Sequence, residues 1–383
     1  MIPRNSSTSP IRRSRSSRSC RRLILGLAVA TSVGLSACGS DSDSASDDAS
    51  TADTEPESSA PPVSDATETE ATTEPTTTAA ASTTTEPAPP TTEVPPAAFP
   101  RTVVHAQGET DVPAEPVRIV SLDRSLTDPV LALGLDLAGY TTYQDPDGAL
   151  PEYFGEALEN ADDAVWVGDL LEPNLEAIFA AEPDLIVSSR VRHEALYEEL
   201  SQIAPTVMTE SGGGGWKDNL ALVAEATGRE ELADSLVDEY TTRAAAVGAE
   251  INEVAASPTI SVVRFLGEIR LYQPVSFSGT VLADAGLARP DSQQDQEEFV
   301  AVISEEELPL ADADWLFYTV YDDPAATDAF SELEQRPLWS SLTAVQEDRA
   351  RPVLDDLWMS GVGLYGAHAI LDDLAATFDV EEA

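Results

Sequence analysis

From about residue 100, short apolar runs alternate with helical patterns along the chain. The runs Arg118–Leu122, Leu185–Val187 and Pro205–Met208 have the length and aliphatic content of buried strands. Helical patterns separate them, such as the one from Asn174 to Ala181. This alternation predicts βα units built around a mostly parallel sheet.

The same pattern continues to the end of the chain. The predicted strands are 118–122, 137–140, 185–187, 205–208, 259–265, 269–272, 315–320 and 350–354, and the predicted helices are 126–133, 174–181, 194–200, 216–227, 230–254, 279–285 and 363–378. The strand and helix alternation therefore occurs twice, once before and once after the pattern that begins at residue 230.

That pattern, from about Glu230 to Val254, is the longest helix predicted. Its apolar positions recur at helical spacing and are Leu232, Leu236, Tyr240, Val247 and Ile251. A helix of this length reaches about 30–36 Å, which suits a strut between two lobes. We therefore predict an α/β protein with two Rossmann-like lobes joined by a single long helix.

The composition of the first hundred residues differs from that of the rest. We expect a signal peptide at 1–37, a disordered tether at 38–98, an N-terminal lobe at 99–228, a connecting helix at 229–256 and a C-terminal lobe at 257–383. The tether consists almost entirely of small, hydroxyl-bearing, proline and acidic residues, which cannot bury enough apolar surface to offset the entropy of ordering.

The N-terminal segment has the features of a bacterial secretion signal. Arginines precede the apolar run Leu23–Leu35, which is shorter than the roughly 20 residues that span a bilayer. The run ends in Leu-Ser-Ala before Cys38, and this order resembles a lipobox. It predicts lipidation of Cys38 and anchoring to the outer face of the cytoplasmic membrane, with an unlipidated signal peptide as the alternative.

Charge and motif content exclude several functional classes. The chain has 69 acidic and 21 basic residues, a net charge of −48, and such a surface repels nucleic acid. The run Gly212–Gly215 lacks the strand and the Lys-Ser/Thr of a phosphate loop. The histidines, His105, His193 and His368, are too far apart in the sequence for metal-ligand spacing. We therefore expect neither catalysis, nor a cofactor, nor a bare metal site.

Several segments follow one another in a distinctive order. They are 117–134, then 173–178 with 182–187, then 262–265 with 270–272 and 276–282, and finally 303–308 before 313–317. In this order they resemble the iron-siderophore and vitamin B12 substrate-binding proteins of ABC importers, over about residues 117–380. The segments between 262 and 282 are similar to the siderophore branch.

The resemblance implies two rigid lobes with a ligand held in the cleft between them. It implies that a monomer delivers a ferric siderophore to an ABC permease and its ATPase, and that one glutamate from each lobe docks on the permease. By position these are Glu176 and Glu306, with Glu305 and Glu307 as competitors for the second role. The alternatives are binding of haem or vitamin B12 and, further away, an interaction role in the cell envelope.

A ferric siderophore presents oxygen-rich faces and a bulky body, which guanidinium groups and aromatic rings can bind. Arginines at predicted strand ends are candidates because open α/β sheets place ligands there. The predicted ligand-binding residues are Arg190, Arg264, Arg270, Tyr272, Trp216, Tyr318 and Trp358. Local pairing with acids such as Glu268 or Asp284 is the alternative for the arginines. Arg124 stands where similar proteins have an aromatic residue. The sequence therefore does not identify which side chains of the first lobe line the ligand site.

Overall fold

The computed structural model describes residues 99–143 and 148–381. The predicted signal peptide, Cys38 and the tether lie outside the described residues. Within the described part of the chain, no helix combines the length and the apolar character needed to cross a bilayer.

Strands and helices alternate through the described residues. The strands are β1 (Arg101–His105), β2 (Gly108–Val112), β3 (Ile119–Ser121), β4 (Leu137–Thr142), β5 (Val165–Asp169), β6 (Glu172–Pro173), β7 (Leu185–Ser189), β8 (Thr206–Thr209), β9 (Ile260–Phe265), β10 (Ile269–Tyr272), β11 (Val300–Ile303), β12 (Trp315–Val320) and β13 (Ala350–Pro352). The helices are α1 (Arg124–Ala132), α2 (Leu175–Ala180), α3 (Arg190–His193), α4 (Tyr197–Ile203), α5 (Trp216–Thr227), α6 (Glu230–Val254), α7 (Phe277–Asp284), α8 (Pro324–Leu333), α9 (Thr343–Gln346), α10 (Asp355–Trp358) and α11 (Leu364–Phe378). Short 3-10 helices occur at Glu152–Ala161, Glu194–Leu196, Asp291–Gln293, Glu305–Ala311 and Trp339–Ser341.

The sheet of the N-terminal lobe has the strand order β6-β5-β4-β3-β7-β8. Strands β3, β4, β5, β7 and β8 pair in parallel, and β6 turns back antiparallel to β5. Because parallel strands share one direction, the residues after Ser121, Thr142, Ser189 and Thr209 gather at one edge. This edge of the lobe is where a doubly wound sheet offers a binding surface.

The sheet of the C-terminal lobe has the order β11-β10-β9-β12-β13. Strands β9, β12 and β13 are parallel, whereas β10 runs antiparallel to both of its neighbours. The register places Arg264 of β9 directly opposite Arg270 of β10. The carboxyl ends of β9, β12 and β13 therefore form a second polar edge.

Helix α6 joins the two sheets, as the sequence predicts. Tyr240, Ala244, Val247 and Ile251 line its buried face. They belong to one continuous core with residues of α1, α5, α7 and α11 and of both sheets. The predicted fold class, two α/β lobes on one long helix, is confirmed.

Gly248 of α6 packs directly on the end of α7. A β-carbon at this position would lie 1.6 Å from the carbonyl oxygen of Ala285, so the two helices can only approach this closely at glycine. We expect Gly248→Ala to destabilise the fold by about 1–3 kcal/mol because a packed backbone must move. Urea denaturation measures the change, and Ala249→Leu on the exposed side of α6 is the control. Equal stability of Gly248→Ala and the wild type would contradict this contact.

Some elements differ from the prediction. Helix α1 starts at Arg124 instead of Leu126, because the Asp123 carboxylate caps it by accepting from the Ser125 amide at 3.0 Å. The helix predicted at 194–200 is a 3-10 turn followed by α4. The short helix α3 precedes it, with a break at His193, whose ring bonds Ser188 and the carbonyl of Leu170. The hairpin β1–β2, strands β5, β6 and β11, and helix α8 are not among the predicted elements.

Candidate ligand-binding groove between the lobes

The polar edges of the two sheets face each other, and we call the surface between them, where Arg124 contacts Asp356, the inter-lobe groove. On the N-terminal side Arg124 follows β3, and on the C-terminal side Asp355 and Asp356 follow β13. The Arg124 guanidinium forms an ion pair with the Asp356 carboxylate, and this contact links the lobes. The Arg124 side chain is 17% exposed and that of Asp356 is 59% exposed. The groove thus contains a cation mostly enclosed by the protein and an acid mostly open to solvent.

Arg264 lies beside this pair and is held more firmly. Its Nε and Nη2 donate to the two carboxylate oxygens of Asp355 at 2.8 and 2.7 Å. This is the bidentate geometry in which guanidinium groups bind carboxylates most strongly. Thr319 donates to the same carboxylate at 2.7 Å, so the acid itself is fixed. Burial alone would lower the pKa of Arg264, but Tyr272 and Asp355 outweigh it and raise the pKa.

Three of the predicted ligand residues share one face of the C-terminal sheet. Arg264 and Arg270 are cross-strand partners, and Tyr272 follows two residues later on the same face. Tyr272 is only 4% exposed and its ring belongs to the main core, so its predicted role as a ligand wall is corrected to that of a partner of Arg264. The Arg264 Nη1 donates to the Tyr272 hydroxyl at 3.3 Å. Arg270 pairs with Glu268, as the alternative interpretation of the sequence allows, through Nε at 2.7 Å. Because each arginine is paired with an acid, the repulsion between the two neighbouring guanidinium groups is offset.

The aromatic side chains at the groove come from loops after the strands. The Tyr321 ring lies 5.1 Å from the Arg264 guanidinium carbon. Burial and the neighbouring Tyr143 of the N-terminal lobe both raise the pKa of Tyr321. The two tyrosines therefore approach each other from opposite lobes.

Arg190 begins α3, directly after β7, at the polar edge of the N-terminal sheet. Its side chain forms a fork with the carboxylate of Glu210, which follows β8. The Nε of Arg192, in the same short helix, lies 4.0 Å from the buried Asp123. Both arginines are therefore at the edge that the sequence predicts, and both have an acid of the same lobe as a neighbour.

Two of the predicted aromatic contacts are in the protein core. Trp216 is 1% exposed and packs edge-on against Tyr240 with ring centroids 5.0 Å apart. Trp358 is fully buried, stacks on Phe317 at 4.9 Å and donates its indole N–H to Asp373 at 2.8 Å. Neither ring has surface left for a ligand, so the prediction that they bind one is corrected: both are structural.

Tyr318 is also misplaced by the sequence prediction. Its ring packs with Phe265, Phe330 and Trp339 in a second core, which lies between the C-terminal sheet and α8. Successive residues of a strand point to opposite faces, and Thr319, the next residue, is the one that reaches Asp355. Tyr318 is therefore half-buried against this second core, on the face of β12 opposite to Thr319.

The sequence analysis missed the acids of the groove. Asp355 and Asp356 stand next to each other in α10, where nothing in a chain of 69 acids distinguishes them. Arg124 appears in the sequence only as a departure from similar proteins. The available signal was the position of these residues in the chain. All three come shortly after the carboxyl end of a parallel strand, where open α/β sheets place their ligands.

Metal coordination is a separate question from binding of a chelate. In residues 99–143 and 148–381, no three His, Cys, Asp or Glu side chains are grouped so that they could hold a metal ion. The groove residues are instead guanidinium, carboxylate, hydroxyl and phenol groups. They can bind the oxygen-rich surface of a ligand by charge and hydrogen bonds.

The comparison with known families agrees with this architecture. The model of a family described as periplasmic binding protein matches residues 119–351. The chain belongs to the periplasmic binding protein family. As a family member it is a binding protein that acts outside the cytoplasm, and it is not an enzyme. The matched range extends from β3 to β13, so it includes both sheets and α6.

Named relatives of this periplasmic binding protein include two with high coverage. The probable siderophore-binding lipoprotein YfiY of Bacillus subtilis is 36% identical over 295 residues, 73% of this chain and 87% of the relative. The achromobactin-binding periplasmic protein of Dickeya dadantii is 30% identical over 266 residues, 68% and 86% of the two chains. The crystal structure of Staphylococcus aureus SirA complexed with staphyloferrin B has a TM-score of 0.66 and 29% identity, and it covers 74% of this chain and 100% of that one.

Proposed function

We propose that this protein captures a ferric siderophore outside the cytoplasm and delivers it, as a monomer, to the permease and ATPase of an ABC importer. The observation that carries the proposal is the gathering of guanidinium groups at the inter-lobe groove. In a chain with 21 basic residues, Arg124 and Arg264 are both held there by neighbouring acids. The siderophore-binding relatives support the same ligand class. The siderophore is cargo, and no cofactor takes part.

Membrane attachment completes the proposal. Lipidation of Cys38 would anchor the protein to the outer face of the cytoplasmic membrane, and a tether at 38–98 would let the lobes reach the permease. The lipoprotein among the relatives supports this arrangement. Mass spectrometry of the purified protein tests it, because a diacylglyceryl group on Cys38 changes the mass of the N-terminal peptide.

Permease docking would use Glu176 and Glu306. Glu176 is exposed in the first turn of α2, which Asn174 caps. In the second lobe the competing acids are engaged within the protein. Glu305 forms an ion pair with Arg336, and Glu307 accepts from the Ser304 amide at 2.9 Å. Exposed Glu306 lies between them, which supports it as the docking residue over its neighbours.

Reversing the charge at Glu176 tests the docking role. The family resemblance implies that this glutamate meets basic residues of the permease. We therefore expect Glu176→Arg to lower siderophore-dependent iron uptake by about tenfold or more, because like charges meeting across an interface cost several kcal/mol. Siderophore affinity of the purified variant should stay at the wild-type value. The matched control is Glu253→Arg, an exposed acid near the end of α6. Unchanged uptake by Glu176→Arg would remove this residue from the docking surface.

The ligand class itself is tested with protein isolated from iron-starved cells. Native mass spectrometry should detect the protein with a ferric siderophore bound, identified by its mass and the iron isotope pattern. Detection of haem or cobalamin instead would move the function to the alternative ligand of the same fold. Isolation without any ligand, combined with no binding across catecholate, hydroxamate and carboxylate siderophores, would overturn the proposal.

A further inference from the structure

The two adjacent acids of the inter-lobe groove are held very differently. Asp355 is 16% exposed and accepts hydrogen bonds from Arg264 Nε, Arg264 Nη2 and Thr319. Asp356 is 59% exposed and forms its ion pair with the guanidinium of Arg124. Removing Asp355 would leave several donors without an acceptor, among them the mostly enclosed guanidinium of Arg264, which would destabilise the fold. Asp356 differs because its carboxylate is mostly open to solvent, so water can replace its contact with Arg124.

In the ion pair of Arg124 and Asp356, the arginine depends more on its partner than the aspartate does. Arg124 is mostly enclosed, at 17% exposure, so its charge needs a permanent acceptor. Burial opposes its ionisation, but the Asp356 carboxylate outweighs this effect and raises the pKa of Arg124. A ligand that enters the groove must therefore either leave the pair intact or supply an equivalent anion. A carboxylate on the ligand would supply the same charge and the same acceptor oxygens as the Asp356 carboxylate that it replaces.

We infer that Asp356 is a displaceable stand-in for a carboxylate of the ligand, and that the cargo is a ferric chelate with carboxylate groups at its periphery. In the empty groove Asp356 holds Arg124 in a binding conformation. On binding, the ligand carboxylate takes its place and the acid turns to solvent. Asp355 stays in place as the fixed partner that positions Arg264. The inference rests on the proposed function, since it names the class of siderophore.

The aromatic content of the groove favours the same class. Trp216 and Trp358, which could have formed flat walls for aromatic ligand groups, lie in the main core, and Tyr318 packs against the second core. Tyr143 and Tyr321 remain at the groove, beside the ion pairs of Arg124 and Arg264. A ligand with an aromatic body gains less from such a surface than a ligand with carboxylates, because guanidinium–carboxylate pairs are the strong interactions available.

The variant Asp356→Asn tests the inference because it removes the competing charge while keeping the size of the side chain. We expect its dissociation constant for a carboxylate chelate to fall about three- to tenfold at low ionic strength, since the ligand no longer competes with an internal anion. The gain should shrink as salt is added. Affinity for ferrichrome, a neutral trihydroxamate complex, should not improve.

A closely matched control exists elsewhere in the molecule. Asp372 pairs with Arg243, and their side chains are 51% and 16% exposed, close to the values of the groove pair. This pair joins α6 to α11. Asp372→Asn changes the net charge by the same amount and breaks the same kind of contact. It should leave all affinities unchanged, which separates a local exchange from a general effect of charge.

The experiment is isothermal titration of the full-length mature protein and both variants with ferric staphyloferrin B, ferric citrate and ferrichrome. Tighter binding of a carboxylate chelate by Asp356→Asn alone supports the inference. Unchanged or weaker binding by this variant, equal tightening for ferrichrome, or a wild type that binds ferrichrome and neither carboxylate chelate overturns it while the proposed function stands. A wild type that binds none of these chelates overturns the inference, and it overturns the proposed function as well if catecholate siderophores also fail to bind.

Discussion

Replacing Arg264 with alanine is expected to weaken ferric siderophore binding by about 30-fold or more, equivalent to about 2–5 kcal/mol. The substitution removes a fork of donors from the groove and leaves Asp355, at 16% exposure, without its two guanidinium hydrogen bonds. An unpaired acid at this position also repels an anionic ligand. Titration calorimetry measures the loss, and circular dichroism checks that the variant is folded.

Two further variants separate the charge of Arg264 from its shape. Arg264→Lys keeps the charge but not the planar fork, and it should recover only part of the affinity. Arg351→Ala removes an arginine whose guanidinium lies 5.2 Å over the Trp315 ring, outside the groove, and it should bind like the wild type. Full affinity in a folded Arg264→Ala protein would show that this residue is not a ligand contact.

The stability of the fold is expected to depend on pH through Asp128. This residue of α1 is 1% exposed, and its carboxylate accepts from the amides of Leu364 and Tyr365 at 2.7 and 3.0 Å, at the start of α11. Burial raises its pKa to about 7, although the backbone amides oppose the shift. The chain approaches closely here, because a β-carbon on Gly363 would lie 2.1 Å from the Asp128 carboxyl carbon.

The direction of the pH effect follows from the raised pKa. Between the unfolded value of 3.8 and about 7, the folded protein holds a proton that the unfolded chain releases, so this residue stabilises the fold less as pH rises. Relative to Asp128→Asn, the wild type should lose about 2–3 kcal/mol of unfolding free energy between pH 5 and pH 8. Urea denaturation of both proteins at the two pH values measures this difference. A difference that is constant, or that grows in favour of the wild type with pH, would contradict the raised pKa.

The sequence was sufficient to predict the fold class. Aliphatic strands, helices of matching length and the 25-residue pattern at Glu230–Val254 are local signals, and the structure has that helix with the same bounds. Elements without such a signal were missed. The hairpin β1–β2 has mixed composition, Arg101–His105 and Gly108–Val112, and it is stabilised by pairing and packing that become visible only in the fold.

The candidate site was only partly predictable, for a different physical reason. Arginines such as Arg264 and Arg270 are scarce and lie near strand ends, so their position near the edge of the sheet could be inferred. Aromatic residues carry no such signal, because a tryptophan fits a core and a ligand wall equally well by composition. Burial, which decides between the two, depends on which face of an element meets the sheet. For Trp216 and Trp358 that face is the core.

The proposed function depends most on the groove binding a ferric chelate through its guanidinium groups. Calorimetric titration of the mature protein with catecholate, hydroxamate and carboxylate siderophores, each in its ferric and its iron-free form, tests this directly, with haem and cobalamin as competing ligands. We expect a single site that binds the ferric form and is weakened by Arg264→Ala. Binding of haem or cobalamin in preference to every ferric siderophore, or ferric siderophore binding that Arg264→Ala leaves intact, would contradict it.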